Sequence, residues 1–218
     1  MVIVLLGAPG AGKGTQAPIL SRHLGVPVLA SGDLLRAVVA SGTELGREVD
    51  ATMRDGRLVP DETIVRIFLD RLAEPDASGG AILDGFPRTA GQAAALDVAL
   101  AERGARVDAA VTIDVPIDEL VGRFAGRRIC RDGGHVYNLR SNPPRVPGVC
   151  DIDGSELIQR ADDDEPTVRS RMEKQLGPLQ TVLDHYRRAG ILTTVDGRAD
   201  IETVTARILA AVEGAAVR

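Results

Sequence analysis

Apolar residues fall in short, dense blocks separated by longer amphipathic stretches. The blocks are Val2–Leu6, Pro27–Ala30, Ala81–Leu83, Ala109–Asp114 and Ile191–Val195. They do not alternate apolar with polar. A run that is apolar throughout predicts a strand covered on both faces, as in a parallel sheet. The stretches between carry helical periodicity near Lys13–Leu24, Asp33–Ala40, Asp61–Ala73, Thr89–Arg103 and Ile117–Gly126. A last helix near Ile201–Val212 places Ile201, Val204, Ile208 and Val212 on one face. Strand alternating with helix predicts an α/β fold, a doubly wound five-stranded parallel sheet.

Two stretches break the alternation. Ser31 to Val59 holds two short helical patterns with no strand between them, and reads as a helical insertion hinged at Ser31-Gly32 and Leu58-Val59-Pro60. Arg128 to about Asp163 is rich in Gly, Pro, Asn and Arg, and reads as a small hairpin-and-loop unit grafted onto the main one. The expected organisation is a core of 1–29, 60–127 and 164–218, an insertion at 30–59 and a second small unit at 128–163.

Chemistry concentrates after the first strand, where residues 7–15 read Gly-Ala-Pro-Gly-Ala-Gly-Lys-Gly-Thr. Glycines let backbone N–H groups turn inward on a polyphosphate, and the N-terminus of the following helix adds positive potential. Lys13 supplies a full charge. The chain has two lysines, Lys13 and Lys174, and writes its other cations as arginine, so a lysine kept here points to a need for a compact ammonium. The pattern G-x-x-x-x-G-K-[ST] is met with one displacement: Gly14 follows the lysine and the hydroxyl arrives at Thr15. The competing reading is a plain glycine-rich turn.

Asp84 ends the third apolar block and opens Asp84-Gly85-Phe86-Pro87-Arg88. Ligands of doubly wound sheets sit at the carboxyl ends of strands, so Asp84 is expected to face the phosphate loop and to hold Mg²⁺ through its water shell. Asp33 follows the second strand and is open between that role and a helix N-cap. Arg36, Arg88, Arg123, Arg127, Arg160 and Arg171 come from separated elements. Each alone reads as a surface cation; as a set they suit two phosphate-bearing substrates that meet, since guanidinium forks pair with phosphate oxygens.

Composition removes several classes. The chain has 218 residues, net charge −5, 2% aromatic content and no Trp. This speaks against a nucleic-acid binder. The apolar start lacks a basic leader and ends at Gly7, and no segment is long enough to span a bilayer, so no membrane partner and a cytoplasmic location are expected. Cys130 and Cys150 do not make a disulfide scaffold.

These residues carry a resemblance that covers nearly the whole chain. GAPGAGKGTQA (Gly7–Ala17), SGDLLR (Ser31–Arg36), LDGFPRT with Gln92 (Leu83–Thr89), GRR (Gly126–Arg128), VY then NPP (Val136–Tyr137, Asn142–Pro144), QRADD (Gln159–Asp163) and VRSR (Val168–Arg171) resemble the bacterial adenylate kinases of the long-lid form. These are P-loop proteins of the nucleoside-monophosphate kinase family. The resemblance implies the reaction ATP + AMP ⇌ 2 ADP with Mg²⁺, adenine nucleotides as partners, and a monomer. It implies that Gly10, Ala11, Gly12, Lys13, Gly14 and Thr15 hold ATP phosphates. Arg123 and Arg127 would reach ATP, Val136 and Tyr137 would cover its base or ribose, and the backbone near Ala199 would touch its adenine. For AMP it implies Ser31, Arg36, Arg57, Leu58, Val59, Gly85, Phe86, Pro87, Arg88 and Gln92. Gln92 would bond adenine, and Arg160 and Arg171 would close between the two nucleotides. Lys13, Arg88, Arg123, Arg160 and Arg171 would be catalytic. The insertion becomes the AMP flap and the hairpin unit the lid.

The sequence departs from the family twice. Ser31 stands where Thr is common. Many long-lid relatives bind zinc at two Cys-x-x-[Cys/Asp] knuckles, and here these read Cys130-Arg131-Asp132-Gly133 and Cys150-Asp151-Ile152-Asp153. Gly133 cannot coordinate. Cys130, Cys150 and Asp153 leave the fourth position open between His135, Asp132, a water and no metal at all. A kinase for UMP or CMP is the nearest alternative, and a nucleotide-sensing module without phosphoryl transfer the more distant one.

Overall fold

The computed structural model describes residues 1–54, 59–139, 142–159 and 165–216. Five parallel strands form the central sheet: β1 (Val2–Leu6), β2 (Val28–Ala30), β3 (Ala81–Asp84), β4 (Val107–Asp114) and a late strand, Leu192–Asp196, in the order β2-β3-β1-β4 followed by that last strand. The helices are α1 (Lys13–Leu24), α2 (Ser31–Ala40), α3 (Glu44–Arg54), α4 (Asp61–Leu72), α5 (Ala90–Ala101), α6 (Ile117–Gly126), α7 (Glu165–Arg188) and α8 (Ile201–Ala216). Between α6 and α7 lies a separate antiparallel sheet of β5 (Arg127–Cys130), β6 (Val136–Asn138) and β7 (Leu157–Ile158), with β5 central; the late strand is therefore β8.

The unbroken apolar blocks have the reason anticipated. Successive residues on a strand point to opposite faces. Val2, Val4 and Leu6 enter one core with Leu96 of α5, Phe68 of α4, and Val182 and Tyr186 of α7. Ile3 and Leu5 enter the other with Leu20 of α1, Phe124 of α6, and Val204, Ile208 and Val212 of α8. Three of the four residues expected on one face of α8 are thus buried together. The strand order reverses about β1, and the glycine loop leaves β1 at that switch point.

Several bounds differ from the sequence reading. β4 begins two residues early because Val107 is buried beside Val2, its register partner. α2 starts at Ser31 rather than Asp33, with Ala30 in extended conformation as its cap. Helix α7 has no counterpart in that reading; Gly177 and Pro178 lie inside it and look like a turn signal. Burial of Val182 and Tyr186 at 0% exposure overrides that signal.

Tyr186 carries a buried hydroxyl without a hydrogen-bond partner among the described residues. Burial and the nearby Asp97 push its ionisation well above the usual phenol range. Desolvating a hydroxyl without compensation costs about 1–3 kcal/mol. Tyr186→Phe is therefore expected to be neutral or to raise stability by roughly 1 kcal/mol in denaturant titration; a loss of that size would show an unseen partner for the hydroxyl.

Candidate active site

The glycine loop runs from β1 into α1, with Gly12 at φ 105° as the cap residue. Gly10 has φ 81°, and a Cβ on it would come within 2.8 Å of the Phe124 ring. A side chain there is thus excluded both by backbone conformation and by contact. The Lys13 ammonium folds back across the loop, donating to Gly7 O at 2.7 Å and Ala8 O at 3.2 Å. Burial holds its pKa below the ordinary lysine value; Asp84 opposes this and Arg88 adds to it.

Strand register brings Asp84 level with Leu5 on one side and Ala30 on the other. All three lie at the carboxyl end of the sheet. The Asp84 carboxyl is pushed up by burial, against the pull of Lys13 and Arg88, and Asp33 pushes the same way as burial. Lys13, Arg88 and Asp33 thus all act on Asp84. Asp33 is exposed and ion-paired to Arg36 one turn along α2.

Of the expected AMP residues that the structure describes, Ser31, Gly85, Arg88 and Gln92 are joined by hydrogen bonds. Arg88 donates from Nε to Gly85 O at 2.8 Å and from a terminal nitrogen to Ser31 Oγ at 2.9 Å. This ties the end of β3 to the start of α2. Gln92 is buried at 6% exposure and accepts from the Arg88 backbone N–H at 2.7 Å. Phe86 is buried and stacks on Phe68 with centroids 4.1 Å apart. Pro87 and Val59 are also buried. Arg57, Leu58 and Arg160 lie outside the described residues, as does the side chain of Arg171 on α7.

On the other side of the loop, half-buried Arg123 donates to Gly197 O at 2.7 Å and pairs with Glu119 at 3.0 Å. Its other terminal nitrogen lies 3.5 Å from Ala11 O. It therefore bridges the glycine loop and the turn after β8, beside Ala199, which packs on the core. Arg127 lies over the Phe124 ring at 4.3 Å. Val136 is exposed, but Tyr137 is buried: its hydroxyl accepts from Asp151 N at 2.8 Å and meets Cys150 Sγ at 3.5 Å. The phenol thus packs inside the small sheet and leaves its backbone to offer a ligand.

Two residues outside the sequence reading join the site. Asn138 Nδ2 donates to Arg123 O at 2.9 Å, fastening β6 to α6. Asp61 receives Gln92 Nε2 at 2.8 Å and Thr89 Oγ1 at 3.1 Å. Neither contact has a local sequence signal.

Cys130, His135, Cys150 and Asp153 come together with one ligand atom from each inside 4.8 Å of the others. Cys130 Sγ is 2.9 Å from Asp153 Oδ2, and His135 Nδ1 is 3.3 Å from both Cys150 Sγ and Asp153 Oδ2. A Cβ on Gly133 would meet His135 Cε1 at 2.4 Å and Asp153 Oδ2 at 2.6 Å. The imidazole occupies the space that a side chain at 133 would need. Asp132 is not in the cluster.

The model of the adenylate kinase family matches residues 5–191. The chain belongs to the adenylate kinase family. It is 49% identical to an adenylate kinase of Streptomyces griseus over 98% of both chains. It is 47% identical to one of Moorella thermoacetica over 94% of both, and 44% identical to one of Staphylococcus aureus over 96% of this chain and 97% of the relative. Membership in the adenylate kinase family accounts for the glycine loop and the DGFPR turn at one end of one sheet.

Proposed function

We propose that the chain transfers the terminal phosphoryl group of ATP to AMP, reversibly, giving two ADP. The observation that carries this is the shared field of Lys13, Asp84 and Arg88 where the glycine loop and the DGFPR turn meet. An AMP phosphate oxygen is already ionised at neutral pH, so attack on the terminal phosphorus of ATP needs no general base. It displaces ADP, and the residues have to position, shield and neutralise. Gly10–Thr15 hold the ATP phosphates and Lys13 leaves the loop carbonyls for them. Arg88, with Arg36, Arg160 and Arg171, holds the AMP side; Arg123 and Arg127 hold the ATP side. Residues 30–59 serve as the AMP flap and 128–163 as the lid, on a core of the remaining segments. Closure excludes water, the competing nucleophile.

The donor set fits magnesium. Asp84 and Asp33 are oxygen donors, the charge of Asp33 acts on Asp84, and a cation near both relieves that repulsion. Bound Mg²⁺ supplies charge neutralisation on the phosphates. The four lid residues fit zinc equally: two thiols, an imidazole and a carboxylate make a tetrahedral set, with His135 filling the place left by Gly133. Purified without chelator, the protein is expected to hold about one zinc per chain by elemental analysis, and chelation should lower its melting temperature. Below ~0.2 zinc per chain, the lid is held by the hydrogen bonds alone.

A cytoplasmic monomer belongs to the same proposal. Neither cysteine is in a disulfide, and no helix among the described residues is long and apolar enough to cross a membrane. ADP formation from ATP with AMP, UMP or CMP tests the whole reading. AMP is expected to give the highest kcat/KM. Faster transfer to UMP would reassign the base, and no ADP at all would leave only a binding module.

A further inference from the structure

Gln92 is a buried amide with both ends committed. Its Oε1 accepts from the Arg88 backbone N–H at 2.7 Å, and its Nε2 donates to Asp61 Oδ1 at 2.8 Å. A backbone N–H can only donate and a carboxylate can only accept, so the amide has one permitted orientation. Turned over, it would set nitrogen against N–H and oxygen against carboxylate. Asp61 is itself braced: Oδ2 accepts from Thr89 Oγ1 at 3.1 Å, and Thr89 in turn caps α5 by accepting from Gln92 N at 3.1 Å. One Nε2 hydrogen and one Oε1 lone pair remain for a ligand, in fixed order.

We propose that Asp61 is a positioning residue for base selection, which makes Gln92 read an acceptor beside an amino donor and reject the reverse. This rests on the reading that Gln92 meets the acceptor base. Adenine offers that edge, with N1 as acceptor and the 6-amino group as donor. Hypoxanthine offers N1–H and O6, the reverse. Binding it requires the amide to turn over, and Asp61 is one of the two groups that forbid the turn. Asp61 opens α4 immediately after Pro60, and so ties the exit of the flap to the base-reading residue.

The experiment compares kcat/KM for AMP and for inosine monophosphate, at saturating ATP, in wild type, Asp61→Asn, Asp61→Ala and Gln92→Leu, each checked by thermal melting. Both Asp61 variants are expected to lower the AMP-to-inosine-monophosphate ratio roughly tenfold, as suits one mispaired buried hydrogen bond. The change should fall mainly on KM for AMP, with kcat for AMP within about threefold and KM for ATP unchanged. A merely structural Asp61 would lower activity with both acceptors and leave their ratio alone, which overturns the proposal. The Gln92→Leu arm separates the two possible failures. If it collapses the ratio while neither Asp61 variant does, Gln92 reads the base without help from Asp61. If it also leaves the ratio unchanged, Gln92 does not meet the base and both readings fall.

Discussion

Lys13→Ala is expected to lower kcat/KM by ~10³-fold, with little change in melting temperature. The ammonium is the full positive charge within the glycine loop, and it is already partly stripped of water. Its hydrogen bonds to Gly7 O and Ala8 O hold it across the loop. A desolvated cation gains more from a phosphate oxygen than a hydrated one would, because the low-dielectric site strengthens the attraction and the reorganisation is already done. Stability should survive because removing the charge also removes the burial penalty that depresses its pKa. Lys13→Arg should not rescue: the planar fork is larger and cannot fold back onto two carbonyls of the same turn. Steady-state ADP formation and a thermal melt decide the matter. A Lys13→Ala enzyme within tenfold of wild type would remove the lysine from the chemistry.

The second large effect is expected at Arg88. Arg88→Ala should reduce kcat/KM at least ~10²-fold. Its guanidinium holds Gly85 O and Ser31 Oγ and contributes to the field on Asp84 and Lys13. It joins the start of α2 and acts on Lys13 of the glycine loop as well. An exposed cation contributes only about 0–1 kcal/mol to stability, so the folded fraction should hardly change. The loss is expected in both kcat and KM for AMP, with KM for ATP nearly constant. A variant within threefold of wild type would place Arg88 among ordinary surface arginines.

What could be read from the sequence was what is local. The glycine loop, its flanking strand and helix, and the DGFPR turn are contiguous, so spacing alone carries their chemistry. The five strands were legible because burial on both faces leaves no polar position in Val2–Leu6 or Ala81–Leu83. Helix α7 was not, because its interior Gly177-Pro178 is written like a stop and only contact with the rest of the core keeps it helical. Asp61 was missed for a related reason: Thr89 and Gln92 lie 28 and 31 residues away, and nothing near Asp61 announces them. His135 lay between. Gly133 has no donor side chain, which the sequence shows directly; that His135 rather than Asp132 stands beside Cys130, Cys150 and Asp153 follows only from the packing of the imidazole against Gly133.

Phe124 has a consequence beyond the core it helps to fill. One side of its ring blocks any side chain at Gly10, and Arg127, the first residue of the small sheet's central strand β5, rests on the ring. Helix α6 runs into that strand without a spacer residue. The ring is therefore a contact shared by the glycine loop and the small sheet, and the two should melt as one cooperative unit. Shrinking it to alanine would remove that shared contact, and calorimetry of such a protein should show the small sheet coming loose ahead of the rest.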